Sequence, residues 1–113
     1  MATKQEKKLS VFVFENVWKD RHGDEGTNVK VFSTKKKAME YFKKDVKSYL
    51  ENHDAISDGE IDTSAFDSIF GNGIDENTTL DELMKLTSCS WLSINVDGEG
   101  TDASWSVSKM EVL

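Results

Sequence analysis

The chain has 113 residues, 37% of them apolar and 31% charged, which is the size of one domain with material for one core. Its formal net charge of −7 argues against a general affinity for nucleic acid or anionic membranes. The single cysteine, Cys89, excludes an intramolecular disulfide, and no apolar run is long enough for a transmembrane helix.

The charge is unevenly spread. The first fifty residues carry twelve Lys or Arg against seven Asp or Glu, whereas Glu51 to Glu82 carries ten carboxylates and no base. No secretory or organellar leader is recognisable, so a reducing, cytoplasmic setting is expected. The chain contains no proline, so internal linkers are not expected either. The reading is one domain over 9–113, preceded by a charged, flexible lead-in over 1–8.

Leu9 to Trp18 (LSVFVFENVW) alternates Val11 and Val13 with Phe12 and Phe14, the pattern of a strand covered on both faces. A wet loop over Lys19 to Thr27 leads to a second strand, Asn28 to Phe32, giving a β-hairpin. Ser33 or Thr34 then caps a long helix. Ala38, Phe42, Val46 and Tyr49, with Met39 and Leu50 beside them, recur at the spacing of a buried stripe. Its outer face is read as Lys35, Lys36, Lys37, Lys43, Lys44 and Lys47.

Thr63 to Phe70 (TSAFDSIF) groups Phe66, Ile69 and Phe70 as on a short helix ended by Gly71 or Gly73. Thr79 and Glu82 have capping-box spacing ahead of Leu80, Leu83, Met84 and Leu86, which predicts a second short helix. A C-terminal hairpin follows, Ser90 to Val96 and Ala103 to Val112, turning at Asp97 to Gly100. Met110 and Val112 are reversed relative to Trp105 and Val107, which predicts a bulge near Ser108 or Lys109. The serines of these strands leave the second sheet face partly solvated, with Trp91 on it. The expected class is α+β, in the order β-β-α-α-α-β-β. Its four-stranded antiparallel sheet has the long helix on one face and two short acidic helices at an edge or end.

Asp54 to Phe66 (DAISDGEIDTSAF) is similar to a calcium-binding EF-hand loop, with Asp54, Asp58 and Asp62 at ligand positions, Gly59 at the turn and Ile61 at the apolar eighth position. The third position is Ile56 and the twelfth Ala65, so two oxygen ligands are missing and no metal site is expected. His22, His53 and Cys89 have no spacing that links nucleophile, base and orienting group. They also do not cluster as zinc ligands. The glycines at Gly71, Gly73, Gly98 and Gly100 are embedded among acids, which would repel a nucleotide phosphate. No enzyme activity and no cofactor are expected.

Binding remains. A row of carboxylates on a rigid domain can compete for a Lys/Arg channel that normally holds DNA or RNA, because its charge spacing is close to that of successive phosphates. The candidate partner-binding residues are Glu51, Asp54, Asp58, Glu60, Asp62, Asp67, Asp75, Glu76, Asp81 and Glu82. The alternative contact, with nucleic acid or an acidic partner, is the Lys face of the long helix. A solvated acidic face that only maintains solubility is the third account.

The hairpin followed by VFSTKKKAMEYFKKDV, over residues 9 to 50, resembles small acidic proteins encoded by phages and mobile elements of low-GC bacteria, anti-CRISPR inhibitors among them. The resemblance implies an inhibitor of a nucleic-acid-handling protein such as a Cas nuclease, acting in the bacterial cytoplasm. It carries over no individual site residue. An accessory interaction domain without inhibitory role is the alternative.

Overall fold

The structure, a computed structural model, describes residues 9–20, 22–87, 91–96 and 101–112. The lead-in, the turn after Val96 and Cys89 lie outside them. The chain forms strand β1 (Leu9–Lys19), β2 (Glu25–Phe32), helix α1 (Lys35–Asn52), a small hairpin of β3 (Ile56–Ser57) and β4 (Glu60–Ile61), a 3₁₀ turn at Thr63–Ala65, β5 (Phe66–Gly71), helix α2 (Leu80–Met84), β6 (Trp91–Val96) and β7 (Thr101–Val112). It is an α+β fold with an antiparallel main sheet. That sheet has five strands in the order β2-β1-β7-β6-β5, not four.

The fifth strand arises where a helix is expected. Phe66, Ile69 and Phe70 show helical spacing, but β5 pairs with β6 and its register shifts between Phe66 and Ser68. The extra residue at the bulge sends Phe66 and Ile69 to the same face although they lie three apart. A bulged strand thus imitates the helical i, i+3 pattern. The same register places Phe70 on the opposite face, where its ring meets Trp91 edge-on at 5.5 Å between centroids.

The first hairpin is longer than its apolar pattern because polar residues continue the ladder, with Trp18 opposite Gly26 and Lys19 opposite Glu25. Gly26 lets the Trp18 indole lie against the backbone: a Cβ would sit 2.6 Å from the ring, so the indole would have to move. The turn is held by Asp20, whose Oδ1 accepts from the N–H groups of His22 and Asp24 at 2.9 and 3.0 Å.

Helix α1 is built as its sequence predicts. Thr34 is the N-cap, its Oγ1 accepting from the Lys37 N–H at 3.2 Å, and Ala38, Met39, Phe42, Val46 and Leu50 are buried. These pack on the inner sheet face, formed by Phe14, Ile69, Leu92, Ile94, Ala103, Trp105 and Val107. Tyr41 seals one end against Phe14 and Phe32, and Tyr49 meets Trp105 edge-on at 5.0 Å. Trp105 also donates from Nε1 to Asp45 Oδ2 at 2.9 Å, a polar anchor between helix and sheet.

No bulge is needed in β7. Its pairing with β1 is continuous from Leu9–Val112 to Lys19–Asp102, so Met110 and Val112 stand on the outer face. They are exposed there, at 55% and 48%. The apparent reversal is a face whose apolar residues remain uncovered.

Candidate partner-binding surface

The acidic segment follows α1 and wraps one side of the molecule as hairpin, 3₁₀ turn, edge strand β5 and α2. Its EF-hand-like stretch closes into a two-residue β-turn. Asp58 and Gly59 both take left-handed backbone, φ 53° and 79°, the geometry a type I′ hairpin needs, and Ile56 pairs with Ile61. A 3₁₀ turn and a strand follow where the EF-hand would have its second helix. Among the described residues no three His, Cys, Asp or Glu side chains converge as a metal-binding group.

The ten candidate carboxylates divide by what they hold. Glu82 and Thr79 form the expected capping box: the Thr79 N–H donates to Glu82 Oε1 at 2.9 Å, and the Glu82 N–H donates to Thr79 Oγ1 at 3.1 Å. Glu60 Oε1 accepts from the Leu80 N–H at 3.0 Å, which ties the small hairpin to the start of α2. Asp75 Oδ1 accepts from the Asn77 N–H at 2.9 Å and shapes the turn before the helix. Asp62 caps the 3₁₀ turn, accepting from the Ser64 hydroxyl at 2.6 Å and the Ser64 N–H at 3.0 Å. Those bonds, the hydroxyl first, hold its carboxyl below the usual range. Asp81 pairs with Lys85 at 2.9 Å, which raises the lysine pKa.

Glu51, Asp54, Asp58 and Glu76 are exposed and make no such contact with a described residue. Asp67 lies at the β5 bulge, and its side chain is outside the described ones. The sequence identifies the charges but does not separate structural from available carboxylates, because that division depends on which N–H groups the tertiary fold leaves to be satisfied.

The lysine face is narrower than its sequence suggests. Lys43 is half-buried and donates from Nζ to the Met84 carbonyl at 2.7 Å, satisfying an end of α2 and joining it to α1. Lys35, Lys36, Lys37, Lys44 and Lys47 are exposed. Lys35, Lys36, Met39, Glu40, Lys43, Leu86 and Thr87 line a shallow cavity of about 530 Å³, so one carboxylate sits among the cations.

A smaller cavity of about 380 Å³, lined by Trp18, Lys19, Asp20, Tyr49 and His53, lies where α1 ends beside the first hairpin turn. Nothing in the sequence connects these residues, which meet only because β1 and α1 pack in this register. The Tyr49 pKa is pushed up to about 12, first by burial and then by the negative charge of Asp102.

No helix among the described residues is long and apolar enough to cross a membrane. Compared with known proteins, the chain matches no family model, no curated protein and no solved structure.

Proposed function

We propose that this chain is a non-enzymatic binding module for a basic, nucleic-acid-handling protein. Its acidic segment occupies the cationic channel through which that partner binds DNA or RNA. The observation that carries this reading is an unbroken acidic segment, 51 to 82, folded on one side of the domain, with four of its carboxylates oriented by hydrogen bonds of their own. Oriented charges lose little freedom on binding, which favours them over a mobile acidic tail. The resemblance of residues 9 to 50 to phage and mobile-element inhibitors suggests a Cas nuclease as the partner class and bacterial cytoplasm as the setting.

The alternative is a contact with nucleic acid or an acidic partner through Lys35, Lys36, Lys37, Lys44 and Lys47. It has less support, since Lys43 is engaged with Met84 and Glu40 lies among the remaining cations.

The test uses carboxylates that hold no structure. Neutralising Glu51, Asp54, Asp58 and Glu76 together, with Asn at Asp54 and Asp58 because both have left-handed backbone (φ 54° and 53°), removes charge without undoing a cap or turn. Loss of capture of a basic nuclease, with an unchanged circular dichroism spectrum, is the expected outcome. Affinity of the unmodified chain should also fall with rising salt. If charge reversal at Lys44 and Lys47 removes capture while the acidic variant retains it, the lysine face is the functional surface.

A further inference from the structure

The outer face of the main sheet gathers exposed hydrophobic side chains on a highly charged molecule. Of the nine large hydrophobic side chains that stand exposed among the described residues, all but Trp18 are on it. Strand register brings them together. Val31 lies beside Val13, Val11 beside Met110, and Leu9 beside Val112, while Phe70 and Trp91 form an aromatic pair farther across. Between these groups the face carries the short hydroxyls of Ser93, Ser104, Ser106 and Ser108. Among the described residues Glu15 is the one charge within it, and Lys19, Glu25 and Asp102 align at one end, where opposite charges face each other across strands.

From these observations we infer that the outer sheet face packs against the same face of a second copy of this chain, forming a two-fold symmetric sandwich of two sheets with the helices outside. Three physical points select this occupant. First, a face with alternating apolar and hydroxyl side chains and almost no charge is complementary to itself, as an isologous contact requires. A strongly basic or acidic partner would find only Glu15 within it and the mutually facing charges of Lys19, Glu25 and Asp102 at one end. Second, the area suffices: five strands about 4.8 Å apart and on average about 28 Å long present roughly 650 Å² of sheet, close to the ~800 Å² per partner of a stable interface. Third, the −10 segment is built into other surfaces, β5 apart, so two copies can meet face to face without apposing their main acidic elements.

The contact is apolar while both copies are acidic, so its salt dependence has a definite sign. Screening weakens the repulsion between two −7 chains and leaves the apolar attraction in place, so salt tightens the dimer. Capture of a basic partner has the opposite dependence. The two surfaces can therefore fail independently.

Sedimentation equilibrium of the full chain, from low micromolar to submillimolar concentration, decides the matter. The expected result is reversible association from 12.7 kDa to twice that mass, tighter at high salt. Val31→Lys combined with Met110→Lys, at two well-exposed positions, should weaken association about a hundredfold with an unchanged far-ultraviolet spectrum. As a readout that needs no variant, oxidative footprinting of the unmodified chain should show Met110 protected increasingly as concentration rises. A chain that stays monomeric over the whole range overturns the inference. So does a dimer whose Met110 oxidises at the same rate at every concentration.

Discussion

The two faces of the main sheet come from the same five strands yet have opposite fates. On the inner face Phe14 and Trp105 are almost fully enclosed, because α1 packs across β1 and β7 and supplies a matching stripe in Phe42, Val46 and Leu50. On the outer face Val29, Val31 and Met110 are more than half exposed, because the described part of the monomer has no second helix long enough to cover them. Apolar character alone therefore does not specify a core in this protein. A partner of the right shape does, and a single helix of 18 residues can serve only one side.

The comparison predicts a gradient of mutational effects. The largest is expected at the centre of the inner layer, where Phe42→Ala leaves a cavity and should cost about 3 to 5 kcal/mol, measured by urea unfolding. That is a large part of the stability of a domain this size. A loss below about 1 kcal/mol would mean that α1 does not pack there.

Next is the polar anchor in the same layer. Asp45→Ala leaves the Trp105 indole N–H without its acceptor and should cost about 1 to 3 kcal/mol. Asp45→Asn, which keeps an acceptor oxygen, should recover part of that loss.

A pH titration probes the rim of the layer. Because the folded-state pKa of Tyr49 is raised to about 12, the folded chain binds the phenolic proton more tightly than the unfolded one. The resulting stability is complete below the ordinary tyrosine value near 10 and is lost as pH rises from there through about 12. The melting temperature should drop over that interval, and Tyr49→Phe should flatten the drop.

Smallest are substitutions on surfaces that the single chain leaves open. In dilute, monomeric protein Lys44→Ala, Lys47→Ala and Val31→Thr should each shift unfolding free energy by no more than about 0.5 kcal/mol. A large effect of Val31→Thr confined to high concentration would report on the second copy, not on the core.

Much of the fold is legible in short stretches of sequence. The α1 stripe, the Thr34 cap, the Thr79–Glu82 capping box and both end hairpins are local patterns, and each is found in place. Sequence and fold part where a local pattern has two physical sources. TSAFDSIF has helical spacing because a bulge in β5 inserts one residue, and the Met110–Val112 reversal is a change of face and not a bulge. The EF-hand-like loop is a hairpin because Asp58-Gly59 accepts left-handed backbone at both turn positions.

The candidate site divides in the same way. Sequence by itself determines the charge of segment 51 to 82, since ten acids without a base need no fold to be negative. It also determines the helical stripe, because side-chain periodicity is a property of the chain. Only the tertiary structure decides that Glu60 is committed to the Leu80 N–H twenty residues away and Lys43 to the Met84 carbonyl. Likewise, it decides which side of the strands α1 covers. Those outcomes depend on which backbone groups and which sheet face remain unsatisfied once distant elements have packed, and no local pattern carries that information.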